Sequence, residues 1–184
     1  ALAKTEIIVF DKTGTLTKGV FKVKEIFAQG VTGEELLELT SYAESYSNHP
    51  ISNSLKQAYG KEIDNRRIKD LEEISGRGVI ATVDGKMVAA GNIKLMEKLG
   101  IPHYNSEAAG TVVHVAIDSK YAGYIVIADE VKPDSAQAIN ELKKARIKQI
   151  VMLTGDTNNA ASEVAEQLGL DIVYSELLPG GKGE

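Results

Sequence analysis

The chain of 184 residues contains no cysteine. This absence excludes a disulfide framework and any metal site built from thiolates of this chain. No apolar run approaches the ~18 residues of a membrane-spanning helix, so we expect no membrane span. Lys and Arg number 21 against 26 Asp and Glu, a net charge of −5. This balance argues against the basic face of a nucleic-acid-binding protein, and we expect no nucleic-acid partner.

The composition is that of a folded protein, with 43% hydrophobic and 26% charged residues. The N-terminal ALAKTEIIVF lacks the layout of a signal peptide, because a lysine lies inside its apolar stretch. The C-terminal LLPGGKGE contains no closing helix or strand pattern. We therefore expect the sequence to be a segment of a longer protein.

Both ends of the chain show the alternation of strands and helices that is typical of a parallel α/β layer. The pattern predicts buried strands at residues 6–10 and 150–153 and a further short strand at 172–174. It also predicts a helix from Pro133 to Arg146, with Pro133 in its first turn, and a helix from Asn158 to Leu168. Ligands of such sheets bind beyond the carboxyl ends of the strands.

The middle of the chain shows a different pattern, with helices beside antiparallel hairpins. It predicts helices from Thr32 to about Ser47, Ile51 to Tyr59 and Ile93 to Leu99, and hairpins turning at Asp84-Gly85 and near Asp118–Lys120. We therefore expect an α/β domain at 1–21 and 128–184, split by an inserted α+β domain at 22–127.

The stretch IIVFDKTGTLT, residues 7–17, ends an apolar strand in the carboxylate of Asp11. At the carboxyl end of a central parallel strand, that carboxylate would point into the ligand crevice. An ionised Asp can attack phosphorus to form an aspartyl phosphate, and it needs no base to activate it. A divalent cation would offset the repulsion between carboxylate and phosphate, and Mg²⁺ fits because it prefers oxygen ligands.

The string DKTGTLT at 11–17 matches the phosphorylation signature of the P-type ATPases, and TGD at 154–156 follows a second strand. Phosphatases of the related haloacid-dehalogenase-like layout carry a second Asp two positions after the nucleophile, as general acid and base. Here Thr13 stands at that position. We therefore expect the phosphoenzyme to persist, as a transport cycle requires.

Three features of the middle segment resemble the nucleotide domain of the heavy-metal-transporting subclass of these ATPases. They are His49-Pro50 with Glu44 upstream, Gly76 and Gly78 on either side of Arg77, and Gly91-Asn92. Each feature alone is weak: Asn92 is also a suitable N-cap for the following helix. Their order between the two phosphorylation motifs carries the resemblance, which covers essentially the whole chain.

The resemblance implies that the α/β domain at 1–21 and 128–184 is haloacid-dehalogenase-like and that the inserted α+β domain at 22–127 binds nucleotide. It also implies ATP and Mg²⁺ as cofactors and a role for each matched residue. Asp11 is the phosphorylated nucleophile and, with the backbone carbonyl of Thr13, a Mg²⁺ ligand; Thr154, Gly155, Asp156 and Lys182 contact or line the phosphoryl pocket; and Glu44, His49, Gly76, Gly78, Gly91 and Asn92 surround the adenosine. His103 and His114 match no motif, and we expect them to be structural.

The chain departs from the family pattern at Thr157, where the family commonly has Asn, and in the glycines before Lys182. The family's G-D-G-x-N-D segment, membrane helices and actuator domain are not in this sequence, and the last two are expected partners within a parent protein of the membrane. Cadmium, zinc or lead is the expected cargo, with copper as the alternative. A soluble phosphatase with a cap domain and a non-catalytic nucleotide-binding module remain alternatives.

Overall fold

The computed structural model describes residues 6–104, 108, 110–155 and 158–177, and only the backbone of 158–160. Within these residues the strands are β1 (Ile7–Asp11), β2 (Thr17–Ala28), β3 (Ile68–Ile74), β4 (Gly78–Val83), β5 (Lys86–Gly91), β6 (Thr111–Ile117), β7 (Lys120–Val131), β8 (Gln149–Leu153) and β9 (Ile172–Tyr174). The helices are α1 (Gly33–Ala43), α2 (Pro50–Tyr59), α3 (Ile93–Lys98), α4 (Ser135–Lys144) and α5 (Asn158–Leu168). The expected parallel sheet and antiparallel insert are both confirmed.

The chain divides into two compact units. The parallel-sheet unit comprises the described residues of 6–20, 129–155 and 158–177, with 108 and 110. The insert unit comprises 21–104 and 111–128. The chain thus leaves the first unit within β2 and returns to it within β7.

The parallel-sheet unit contains a three-stranded sheet in the order β1–β8–β9, with α4 and α5 contributing to its core. Among the described strands β1 lies at an edge, so the prediction of a central strand was wrong. The prediction that β1 is buried was also wrong, because Ile7 and Val9 are 54% and 55% exposed. Side chains alternate along a strand: Ile8 and Phe10 pack on the core, whereas Ile7 and Val9 lie on the opposite face.

The insert unit is built on a sheet in the order β2–β7–β6–β5–β4–β3, in which the pairs from β7 to β3 are antiparallel. Its strands carry apolar side chains on both faces. Val88 and Ala90 of β5 pack in a core with residues of α1 and α2, whereas Ala89 packs with Leu95 and Met96 of α3. Helices therefore cover both faces of the sheet, and each face has its own core.

Three helix ends differ from the sequence prediction by two residues or more, and one of them is the end of α4, at Lys144 rather than Arg146. The first helix stops at Ala43 rather than Ser47, because the backbone closes into turns in which Ser45 N–H donates to Tyr42 and Ser47 N–H to Glu44. Helix α4 begins at Ser135, so Pro133 precedes it. The backbone N–H of Lys132 donates to the Leu16 carbonyl at 3.0 Å, and this tie keeps the residues before α4 in a turn.

Over the described residues, every helix is too short or too polar to cross a bilayer.

Candidate functional site

Two of the sequence motifs meet at the carboxyl edge of the parallel sheet. Strands β1 and β8 pair in parallel with Asp11 opposite Leu153, so Thr154 and Gly155 follow at the same edge as Asp11. Thr154 is 2% exposed; its N–H donates to the Tyr174 carbonyl at 3.0 Å. The other two residues predicted for this pocket, Asp156 and Lys182, lie outside the described residues.

The loop that follows Asp11, residues Lys12–Leu16, has a backbone that no regular helix adopts. Thr13 is extended at φ −73°, ψ 123°, and Gly14 follows in the left-handed region at φ +79°. A Cβ at Gly14 would meet no atom within 4 Å, so the positive φ and not lack of space favours glycine. Thr13 and Thr15 are exposed, whereas Lys12 and Leu16 are buried.

The buried hydroxyl of Thr17 stabilises this loop by hydrogen bonds to its backbone. Thr17 is fully buried, and its Oγ1 accepts from the Gly14 N–H at 3.3 Å. The same oxygen lies 3.1 Å from the Lys12 carbonyl and also hydrogen-bonds the carboxylate of Asp129, at the end of β7. One threonine side chain thus connects the loop backbone at Lys12 and Gly14 to Asp129 of β7, which is 112 residues away in the sequence.

Two further side chains fix the loop, and both follow β7. The Nζ of Lys132 donates to the Gly14 carbonyl at 2.9 Å. The hydroxyl of Ser135 donates to the Leu16 carbonyl at 2.9 Å. Sequence reasoning missed Thr17, Asp129, Lys132 and Ser135 as site residues; the available signal was the polar run ADEVKPDS directly after an apolar strand.

The donors at this edge are hard oxygens, the Asp11 carboxylate and the Thr13 carbonyl. Mg²⁺ in phosphoryl-transfer sites commonly takes one or two carboxylates and fills its remaining positions with water and phosphate oxygens. In the part of the chain that the structure describes, no group of three or more His, Asp or Glu side chains could enclose a metal by itself. The donor set therefore fits a Mg²⁺ that arrives with a phosphate ligand, and does not form a protein cage.

In the insert unit, Glu44 and His49 lie at facing helix ends, where α1 stops and α2 starts. His49 is the N-cap of α2, and its Nδ1 accepts from the Ile51 N–H at 3.2 Å. A neutral His49 therefore carries its hydrogen on Nε2, on an exposed ring. Pro50, the first helical residue, needs no partner for a backbone N–H.

The Glu44 carboxyl is half-buried and accepts a hydrogen bond from Ser52 Oγ at 2.6 Å. Burial raises the pKa of Glu44 above its ordinary value, and the Ser52 hydrogen bond and the nearby His49 oppose that rise. Glu73 on β3 adds a smaller increase in the pKa.

The remaining four predicted residues form one cluster at the β4–β5 end of the insert sheet. Gly78 and Gly91 are paired across the two strands. A Cβ on Gly78 would lie 2.1 Å from the Ala90 carbonyl oxygen, and one on Gly91 would lie 2.1 Å from that of Arg77. Close contact between backbones therefore accounts for both glycines without a ligand.

Asn92 connects this pair to the turn at Gly76. Its Oδ1 accepts from the Leu95 N–H at 3.2 Å as the N-cap of α3, and its Nδ2 donates to the Gly76 carbonyl at 2.9 Å. Gly76 has φ +67° with open space around its Cα. Gly76 and Asn92 are exposed and Gly78 and Gly91 are partly exposed, so the cluster offers a backbone surface that a flat ring or a phosphate could approach closely.

The two histidines without a motif lie apart from these residues, beside a group of tyrosines. His114 is 2% exposed, and its Nδ1 is 2.8 Å from the Tyr121 hydroxyl. Burial lowers the pKa of His114 to about 4, and the nearby His103 adds to that decrease.

Comparison of the chain with known proteins identifies its family. A family model described as a haloacid dehalogenase-like hydrolase matches residues 5–181. The chain belongs to the haloacid dehalogenase-like hydrolase family. Within this family its relatives are metal-transporting ATPases. It is 52% identical over 183 residues to a cadmium, zinc and cobalt-transporting ATPase of Bacillus subtilis, and 48% identical over 183 residues to a zinc-transporting ATPase of Synechocystis.

A solved structure of the same kind matches the whole fold. The crystal structure of a zinc-transporting PIB-type ATPase in the E2.Pi state superposes with a TM-score of 0.78 at 30% identity, over 98% of this chain and 30% of that one. The sequence matches to the Bacillus subtilis and Synechocystis ATPases cover 99% of this chain but only 26% and 25% of those two proteins, so the chain spans about a quarter of their length. The resemblance to heavy-metal P-type ATPases is confirmed.

Proposed function

We propose that this chain is the ATP-binding and phosphorylation portion of a heavy-metal-exporting P-type ATPase. One observation carries the proposal: Asp11 ends β1 directly beside the strand end that bears Thr154 and Gly155. The residue two positions after Asp11 is Thr13, so the proton donor of a phosphatase is missing from its usual place. The relatives are named as transporters of cadmium, zinc and cobalt, and we propose zinc or cadmium as the cargo, with copper as the alternative.

The chemistry that we propose is an in-line transfer of the γ-phosphoryl group of ATP. A carboxylate oxygen of Asp11 forms a bond to the γ-phosphorus while the bond from that phosphorus to the β–γ bridging oxygen breaks, and ADP leaves with the electron pair. The Asp11 carboxylate and the Thr13 carbonyl would hold Mg²⁺, which would supply positive charge to offset that of the transferring group. The loop after Asp11 and the Thr154–Gly155 segment at the same edge of the sheet would position the phosphate.

The insert unit would hold the adenosine part. His49 presents Nε2–H and an exposed ring, suited to stacking or hydrogen bonding with adenine. Glu44 supplies an acceptor, and the Gly76–Asn92 cluster supplies a flat backbone surface. Asp156 and Lys182 keep their proposed places at the phosphoryl pocket on the strength of the sequence motif.

Two measurements test the proposal. Isothermal titration of this chain with ATP and Mg²⁺ should give saturable binding that is weakened at least ~10-fold in His49→Ala and unchanged in Gln137→Ala, whose side chain is exposed on α4. In a longer polypeptide that contains this chain, γ-³²P-ATP should label Asp11 in an acid-stable, hydroxylamine-sensitive form that Asp11→Asn abolishes.

The competing readings give different results. Sustained Asp11-dependent turnover of p-nitrophenyl phosphate would favour a phosphatase. ATP binding without any label in the longer polypeptide would favour a non-catalytic nucleotide-binding module.

A further inference from the structure

A buried hydroxyl connects the two helix ends that bear Glu44 and His49. Ser52 lies in the first turn of α2 and is 2% exposed. Its Oγ donates to Glu44 Oε2 at 2.6 Å, across from one helix to the other. Among the described residues this is the one hydrogen bond recorded for the Glu44 carboxyl, so Oε1 is left as an acceptor.

We propose that Ser52 is a positioning residue for nucleotide selection: its hydroxyl fixes the Glu44 carboxylate so that the second oxygen accepts from the exocyclic amino group of adenine. This inference rests on the proposed function and names the specificity of the same site. Adenine presents an N–H₂ donor at the position where guanine presents a carbonyl acceptor. A fixed carboxylate therefore attracts adenine and repels guanine at that edge.

The hydrogen bond from Ser52 restricts the rotamers of the Glu44 side chain. Glu44 is the C-cap of α1, and its long side chain has several staggered rotamers available when no partner fixes it. A carboxylate that accepts one charge-assisted hydrogen bond loses most of that freedom before the ligand arrives. The rotamer entropy is then not lost on binding, which increases affinity for the matching base.

The same bond influences the charge on Glu44. Desolvation raises the pKa of this carboxyl most, Ser52, His49 and Lys56 lower it, and Glu73 raises it. Removal of the Ser52 hydroxyl therefore raises the pKa further. Since only the ionised carboxylate is a pure acceptor, ATP affinity in Ser52→Ala should begin to fall at a higher pH than in the unchanged protein.

Ser54 offers a matched control in the same helix. It is 4% exposed, and its Oγ lies 2.8 Å from the carbonyl oxygens of Phe21 and Pro50. Ser54 therefore has the burial and the helix of Ser52 but does not touch Glu44. A general loosening of α2 should follow from either substitution, whereas a loss of adenine selectivity should follow only from Ser52→Ala.

The experiment is a double-mutant cycle on this chain, read by titration with Mg-ATP and with Mg-GTP. We expect Ser52→Ala to weaken ATP binding by ~5- to 10-fold and GTP binding far less, so that the ATP-to-GTP preference falls. Glu44→Ala should weaken ATP binding by ~10-fold or more, and Ser52→Ala should add nothing in that background. Ser52→Thr, which keeps the hydroxyl, should retain the preference, and Ser54→Ala should alter both nucleotides equally.

The outcomes separate this inference from the proposed function. If the unchanged chain binds no ATP, both are wrong, and that arm alone shows it. If the unchanged chain binds ATP but Ser52→Ala weakens binding equally with and without Glu44, Ser52 acts on helix packing and the inference fails by itself. An ATP-to-GTP preference that is the same in Ser52→Ala as in the unchanged chain would also overturn it.

Discussion

The loop after Asp11 and the glycine cluster of the insert unit are both made of motif residues, but different forces hold them. The loop is fixed by side chains that lie 112 to 119 residues away in sequence, on Asp129, Lys132 and Ser135. The glycine cluster is fixed by backbone contact between Gly78 and Gly91 and by one Asn side chain from the next residue. The loop should therefore be sensitive to the loss of distant polar groups, and the cluster to the addition of a single carbon atom.

The largest expected effect is on the glycine cluster. Gly91→Ala places a Cβ 2.1 Å from a backbone carbonyl oxygen, and the two strands must separate to admit it. We expect the insert unit to lose about 3 kcal/mol or more of unfolding free energy, measured by urea denaturation. Gly85→Ala is the control: its φ is +78° with open space around it, so about 1 kcal/mol is expected. Equal losses for the two variants would contradict the backbone-contact account.

The second effect is a pH dependence of the unfolding free energy of the insert unit, which contains all three histidines of the chain. The pKa of His114 is lowered to about 4 in the folded state, against about 6.5 in the unfolded state. The unfolded state therefore binds the proton first, and this contribution to stability is complete above about pH 6.5 and is lost as the pH falls toward 4. Between pH 6.5 and 5 the expected loss is about 2 kcal/mol, measured by urea denaturation followed at insert-unit amides.

The His114 ring resonances in NMR check the same prediction directly. They should remain those of a neutral ring down to about pH 5 in the folded protein. A His114 ring that titrates near pH 6.5 would remove the basis for the predicted slope.

The third effect is in the loop. Thr17→Val keeps the shape of a fully buried side chain but removes the hydroxyl that Gly14 N–H and the Asp129 carboxylate share. Because buried polar groups are left without partners, we expect the parallel-sheet unit to lose about 2 kcal/mol of unfolding free energy, read by hydrogen exchange of its amides. The exposed Thr15 provides the control, and Thr15→Val should change stability by less than about 0.5 kcal/mol.

The smallest expected effect comes from the end of the same loop, where Ser135 contacts Leu16. Ser135→Ala removes one hydrogen bond, to the Leu16 carbonyl, which keeps the backbone bond from Lys132 N–H. A loss of about 1 kcal/mol is expected from urea denaturation. A loss of unfolding free energy as large as that of Thr17→Val would mean that each hydrogen-bonding side chain stabilises the loop equally, and that Thr17 does not contribute more than the others.

Much of this architecture followed from sequence pattern. The strand before Asp11, the strand before Thr154, the hairpin at Asp84-Gly85 and the capped helix after Asn92 all lie where local signals put them. Helix ends were less predictable: Pro133 precedes its helix because a tertiary hydrogen bond to the Leu16 carbonyl holds the chain in a turn. Strand burial was also misjudged, because an apolar run does not reveal whether its second face is covered.

The site divides in the same way. The string DKTGTLT names Asp11 and its family from sequence alone, because a run of seven matching residues carries its own information. Thr17 is part of that string, yet nothing in the string shows that its hydroxyl braces the loop from within the fold. Ser52 and Asp129 have no motif, and only their positions beside Glu44 and Thr17 give them a role.

The order of amino acids therefore determined the fold class, the strand ends that bear Asp11 and Thr154, and the family, because these depend on local periodicity and on short strings. The tertiary structure alone decided which distant polar groups hold the loop, which two glycines must lack a side chain, and which serine orients Glu44. These depend on contacts between residues far apart in the chain, and such contacts exist only after the backbone has closed on itself.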